Sequence, residues 1–384
     1  MTVPKSELNL STMLSNIITP FPKLQVILGP LVSFTLCIYS EVLGEPSPEF
    51  VRRDKNMNGL LEGDELTGVP KTLLGRLDKN RDGKISARED ETLYQQRRPN
   101  FTIQTLFYAA NDNSRQTLDL LLPKQASIDP RPCLIFVHGG GWRSGNKSQG
   151  HPHLRAYVDS QKYVGVSVGY RLSGEAKWPA QLYDCKAAIR FLHANARKYK
   201  IDTKRIIVLG TSAGGHLASM IAVTGNQEEL QGDVGNHLTQ PSTVSGAISY
   251  YGPTDFLRMD DFPSQIKHNS ADSPESQLIG ASIQSVPDKT RQANPTNFLD
   301  SDDPPLICIH GDQDRLVPYN QSEILFEAMK ERALPTALIR VKDGGHGGFA
   351  NPAIKRIERQ FINAVFNDLS EIPQSQELPN SAPR

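Results

Sequence analysis

The chain has no surplus of charge of either sign: 42 Lys and Arg stand against 42 Asp and Glu. A protein that coats nucleic acid needs a basic surface, so that class is set aside. Cysteine is scarce. Cys37, Cys133, Cys185 and Cys308 are the four present, and none makes a CxxC pair, which argues against a thiolate metal site and a disulfide framework. Cys133 and Cys308 sit inside apolar runs and read as reduced core residues. Neither a Walker lysine loop nor a Gly-rich dinucleotide fingerprint is present, so the sequence offers no site for an organic cofactor. An apolar run of about 20 residues, the length of a membrane span, is missing as well.

What is there is organised in blocks. At 384 residues, roughly 150 per domain predicts two or three domains, or one large domain with appendages. Lys23 precedes the stretch from Leu24 to Ser40, whose apolar core of roughly 14 residues has the length of a signal-peptide core. Ser40 and Gly44 offer cleavage points. Residues 1–44 therefore predict a leader for export to the periplasm or medium, with membrane contact only through that leader if it is not removed.

Two loops share one pattern, Asp54-Lys55-Asn56-Met57-Asn58-Gly59-Leu60-Leu61-Glu62-Gly63-Asp64-Glu65 and, 24 residues later, Asp78-Lys79-Asn80-Arg81-Asp82-Gly83-Lys84-Ile85-Ser86-Ala87-Arg88-Glu89. Each has side-chain oxygens at positions 1, 3 and 5, Gly at 6, an apolar residue at 8 and Glu at 12. Calcium takes oxygen ligands in this order, with a backbone carbonyl at 7 and a bidentate Glu last. The expected ligands are Asp54, Asn56, Asn58, Leu60, Glu62 and Glu65, then Asp78, Asn80, Asp82, Lys84, Ser86 and Glu89. This segment resembles the EF-hand family over residues 49–92, and the resemblance implies a compact helical pair holding structural calcium.

From residue 100 the pattern changes. Apolar runs at 101–108, 116–122, 133–137, 164–168, 205–209, 244–250, 306–309 and 336–341 alternate with helical periodicity at 179–199, 212–224, 320–332 and 351–369. That alternation predicts an α/β domain with a mostly parallel sheet covered by helices on both faces. Residues 254–303 are rich in Ser, Asp and Pro and read as a lid-like insertion over the site. The tail at 371–384 reads as disordered.

Four strand ends carry chemistry. Gly210-Thr211-Ser212-Ala213-Gly214 joins a strand to a helix, the setting of a nucleophile elbow that lifts Ser212 above the sheet. His138-Gly139-Gly140-Gly141-Trp142 suits backbone N–H groups facing an oxyanion, so Gly140, Gly141 and Ala213 are the expected donors, with His138 bracing the loop. Downstream, His310-Gly311-Asp312-Gln313-Asp314 and Asp343-Gly344-Gly345-His346 follow later strands. A serine needs a base and the base needs a carboxylate, which makes His346 the base and leaves Asp312 and Asp314 competing as its partner.

With these motifs the chain resembles the α/β-hydrolase esterases, whose HGxxDxxVP pattern puts the acid on Asp314. Tyr170 to Glu175, Trp178-Pro179-Ala180-Gln181, Asp184 to Ala188 and Tyr251 to Phe256 narrow the likeness to bacterial feruloyl and acetyl-xylan-type esterases, related to the hormone-sensitive-lipase group, over about 100–370. The resemblance implies an α/β-hydrolase fold preceded by the EF-hand pair. It also implies an exported serine esterase with Ser212, Asp314 and His346 as catalytic residues and no cofactor for catalysis. The substrate is then a small ester or an esterified polysaccharide. Two alternatives stay open: a serine peptidase of prolyl-oligopeptidase type, and a non-catalytic calcium-dependent binding protein.

Overall fold

The computed structural model describes residues 46–367 and 371–381; the expected leader and Cys37 lie outside them. Contacts divide the chain into two units, 1–98 and 99–384. In the first, helices Pro48–Arg53, Lys71–Leu77 and Ala87–Arg97 surround two short strands, Leu60–Leu61 and Ile85–Ser86. These pair antiparallel with Leu61 opposite Ile85. Phe50, Leu61, Leu77, Ile85 and Leu93 form the small core. Ser47 caps the first helix, accepting from Phe50 N at 3.1 Å, and Pro48 fits the first turn because its missing N–H is not needed there.

Among the described residues the second unit is built on nine strands: β1 (Phe101–Phe107), β2 (Thr117–Pro123), β3 (Arg131–Val137), β4 (Val164–Val168), β5 (Ile201–Thr211), β6 (Gly246–Tyr250), β7 (Leu306–Gly311), β8 (Thr336–Lys342) and β9 (Gln376–Pro379). Across the sheet they run β9-β8-β7-β6-β5-β3-β4-β2-β1. β1 and β2 pair antiparallel, as do β2 and β4; every other neighbour is parallel. The apolar runs are continuous because both faces are buried. In β3, Cys133, Ile135 and Val137 enter one core, while Leu134 and Phe136 enter the other.

Helices α1 (Gly150–Asp159), α2 (Ala180–Ala194), α3 (Ala213–Val223), α4 (Asn320–Glu331) and α5 (Ala353–Phe366) cover the sheet. α1 and α5 pack on one face, and α2, α3 and α4 on the other. This is the α/β-hydrolase fold. Cys133, Cys185 and Cys308 are free and buried. Among the described residues no helix is long and apolar enough to cross a membrane.

The structure corrects the reading at several points. Residues 376–379 do not form a disordered tail: β9 pairs in parallel with β8, and Ser375 Oγ accepts from Leu338 N at 3.0 Å. The open edge of β8 supplies the bonding that the polar sequence does not advertise. α1 escaped notice because only Leu154, Tyr157 and Val158 mark its buried side, after a start broken by Gly150 and Pro152. The helix expected over 179–199 stops at Ala194 and resumes as the short turn Ala196–Tyr199.

The insertion between β6 and β7 is a chain of short turns and helices, including Phe256–Asp261 and Pro274–Ile279. It is fastened down. Thr254 N and Asp255 N donate to Gln321 Oε1 at 2.9 and 2.8 Å, and Gln265 N donates to Arg315 O at 2.7 Å.

Candidate functional site

Ser212 follows β5 and precedes α3 with φ 54° and ψ −123°, a region that a residue with a Cβ rarely visits and that costs about 1–3 kcal/mol. Its neighbours make the turn fit. A Cβ at Gly210 would run into the Gly214 carbonyl, and one at Gly214 would run into the Val137 carbonyl at the end of β3. Only glycine lets these backbones meet. Ser212 N donates to Tyr250 O at 2.9 Å, which locks the turn to β6.

The loop after β3 lies against this turn. A Cβ on Gly139 would stand 3.3 Å from Ser212 Cβ. Gly140 and Gly141 take φ of 117° and 58°, and Gly140 O accepts from Arg143 N and Ser144 N at 3.1 and 3.0 Å. Pro274 of the insertion packs over Gly141. His138 is buried and stacked on Tyr170 with ring centroids 4.2 Å apart. Burial pulls its pKa down to about 4, so it is neutral and braces the loop.

Asp314 and His346 meet although 32 residues separate them: His346 Nδ1 lies 2.6 Å from Asp314 Oδ2. A carboxylate only accepts, so the proton sits on Nδ1 and the Nε2 lone pair is left for a substrate-side proton. Asp314 Oδ1 accepts from Leu316 N and Val317 N at 2.8 and 3.0 Å. Burial alone would raise this carboxyl's pKa. The hydrogen bonds from His310 and His346 outweigh that and hold it well below the usual range.

Asp312 is engaged elsewhere, paired with Arg340 at 3.1 Å and accepting from Asp343 N at 2.8 Å. Tyr251, next after β6, lays its ring 4.6 Å from that of His346. Burial, then the Asp314 charge, push its phenol up to about 12, so it stays neutral. His346 thus stands beside the β6 end to which Ser212 is tied.

Sequence reasoning gave Tyr251 and His310 no role. Their signal, an aromatic after β6 and a histidine four residues before the acid, acquires meaning only once the strand ends converge. His268 lies buried within the insertion, 3.0 Å from Glu275. Asp184 bolts two motifs together, accepting from Arg171 N and Nη2 at 2.9 and 2.7 Å and from Gln116 Nε2 at 2.7 Å.

A family model, BD-FAE, matches residues 118–329, which takes in the elbow, the glycine loop and Asp314. The chain belongs to the BD-FAE family. This BD-FAE protein is similar to a solved structure described as a truncated form of carbohydrate esterase from gut microbiota: 31% identity, 70% of this chain, 98% of that chain, TM-score 0.64. It is also similar to a bifunctional GH43-CE of Bacteroides eggerthii at 33% identity, over 68% of this chain and 37% of that one, TM-score 0.63. Esterase LipC of Mycobacterium tuberculosis is 29% identical over 62% of this chain and 58% of its own length. The chain spans about half the length of the curated relatives it matches.

The two loops of the first unit turn their oxygens inward. Asp54 accepts from Asn58 N and Gly59 N, and Glu65 reaches back to Lys55 N at 2.8 Å. Asp78 likewise accepts from Asp82 N and Gly83 N, and Glu89 from Lys79 N at 2.9 Å. Glu62 differs from its expected place: its carboxylate pairs with Lys84 of the other loop at 2.6 Å. Among the described residues no three or more His, Cys, Asp or Glu side chains gather as a metal cluster. The oxygen set mixes carboxylates with the amides of Asn56, Asn58 and Asn80, a composition that suits a hard cation.

Proposed function

We propose that the chain is a carboxylic ester hydrolase that removes short acyl or aryl groups, acetyl or feruloyl, from polysaccharide through an acyl-enzyme on Ser212. The observation that carries this reading is the His346 Nδ1–Asp314 bond of 2.6 Å beside the strained Ser212 turn. His346 Nε2 takes the Ser212 proton as Oγ attacks the acyl carbon. The N–H groups of Gly140, Gly141 and Ala213 receive the oxyanion, and His346 returns the proton to the leaving sugar alcohol. Water, deprotonated by the same nitrogen, then releases the acid and restores Ser212. The polysaccharide half of the proposal rests on the kinship with carbohydrate esterases.

The insertion suggests which acyl chains fit. Phe256, Met259, Leu278, Ile279 and Ile283 are buried in the core, which leaves mostly polar side chains on its surface. Acetyl to butyryl p-nitrophenyl esters are expected to exceed octanoyl and longer esters in kcat/KM by about tenfold or more. Each extra CH₂ gains ~0.8 kcal/mol only where apolar surface receives it. Run beside acetylated xylan, methyl ferulate and a Pro-linked anilide, this panel tests the whole reading. Faster turnover of the anilide would replace the esterase by a peptidase.

We assign the first unit a structural calcium role, with Asp54, Asn56, Asn58, Leu60 and Glu65 as ligands in one loop and Asp78, Asn80, Asp82, Lys84 through its carbonyl, Ser86 and Glu89 in the other. Glu62 is held by Lys84 and joins only if that pair opens. Calcium supplies cross-linking of the loop oxygens, and binding to the folded state alone raises stability by mass action. Chelation is therefore expected to increase proteolysis around 50–95 and lower the melting temperature, with kcat on a small ester kept within about twofold. Loss of all turnover in chelator at unchanged folding, reversed by calcium, refutes the structural role. Export, proposed from the apolar stretch after Lys23, fits a polysaccharide substrate.

A further inference from the structure

His310 is fully buried at the end of β7, and the ester chemistry proposed above does not use it. Its Nε2 lies 3.2 Å from Asp314 Oδ2 and 3.0 Å from Val317 O. Both partners only accept, so Nε2 carries a proton and donates to the two of them. Its Nδ1 lies 2.7 Å from Ser322 Oγ on α4. In the neutral ring Nδ1 accepts from that hydroxyl, and Ser322 thereby holds the tautomer that puts the proton on Nε2.

The bonds close on themselves. Val317 N donates to Asp314 Oδ1 at 3.0 Å, and Val317 O accepts from His310. Oδ1 is thus held by the turn and Oδ2 by two histidines, one buried and one partly exposed, with side-chain exposures of 0% and 20%. The neighbouring Gly311 permits this convergence, because a Cβ there would strike the Gly344 carbonyl of the loop that carries His346. Tyr251 and Tyr319 close around the His310 ring at 6.4 and 5.6 Å.

From this geometry we propose that His310 is a positioning residue for the acid: it fixes the rotation of the Asp314 carboxylate so that Oδ2 stays on His346 Nδ1. The proposal rests on the serine-esterase reading only for its kinetic consequence. The structural consequence, a weaker His346–Asp314 hydrogen bond when His310 is gone, is readable without any substrate.

The test compares His310→Ala, His310→Gln and Ser322→Ala with the unaltered full-length protein. Gln can place an N–H near the Nε2 position; Ala cannot. The first readout is the low-field proton NMR resonance of His346 Nδ1–H, identified by its loss in His346→Gln. It is expected to move upfield in His310→Ala, partly so in Ser322→Ala, and to stay near its original position in His310→Gln. The second is steady-state hydrolysis of p-nitrophenyl acetate. His310→Ala is expected to lose about tenfold or more in kcat, the scale of one hydrogen bond to a charged group, with KM within about twofold and rescue by Gln.

If His310→Ala does not fold, Ser322→Ala, which keeps the ring and frees its tautomer, decides by the same two readouts. A folded variant whose resonance and kcat per active site both match the original, with only a lowered melting temperature, reduces His310 to a packing residue and overturns the proposal. A protein inactive on every ester would refute the esterase reading, while the resonance still decides the role of His310.

Discussion

Ser212→Ala is expected to lower kcat on p-nitrophenyl acetate by about 10⁵- to 10⁶-fold, because the covalent route ends with the nucleophile. The fold is expected to survive, with a melting temperature within about 2 °C. The backbone of residue 212 is held by its own N–H on Tyr250 O and by His216 N on its carbonyl at 3.1 Å, and alanine keeps both bonds. The hydroxyl makes no capping bond to α3, so its removal does not uncap that helix. Residual turnover within tenfold of the original would mean that another group attacks.

The second large effect separates two aspartates that sit two residues apart. Asp314→Asn is expected to cost about 10³- to 10⁴-fold in kcat, since an amide N–H facing His346 Nδ1 favours the wrong tautomer. Asp312→Asn is expected to stay within about threefold, because its contacts, to Arg340, Asp343 N and Gln313 Nε2, lie away from His346. Steady-state kinetics on both variants decide the matter; the reverse ranking would move the acid to Asp312. The depressed Asp314 carboxyl adds a pH corollary. It stabilises the fold fully above the ordinary carboxylate pKa, and that contribution is lost only as the pH falls towards its lowered folded value. Activity lost near neutrality therefore has another cause.

Strands β3 and β5 were legible in the sequence because a strand buried on both faces is apolar at every position, as in Ile206-Ile207-Val208-Leu209. The elbow was legible because its glycines are required by contact between backbones. Other features depend on what lies across space. Asp312 and Asp314 both follow β7, and spacing alone does not say which one His346 reaches. His310 looks like any strand-end histidine until Ser322 and Val317 stand beside it. Gln376 to Pro379 offers Leu378 as its one apolar mark of a strand, because its partner is a backbone edge. The insertion read as lid-like from its composition, yet Gln321 and Arg315 pin it to the acid side of the domain.

That pinned edge has a consequence for synthesis. A ribosome makes the chain from its N-terminus, so β8 and the loop bearing His346 emerge before residues 376–379. Until those four residues arrive, the outer side of β8 is an unpaired template open to any extended neighbour. Arg340 is already fitted for that interval, as a charge on the open strand is a common guard against wrong pairing. Once β9 is in place, Arg340 contacts Glu377 at 3.2 Å, so the same side chain serves first as a guard of a nascent edge and then as the mate of its finished cover.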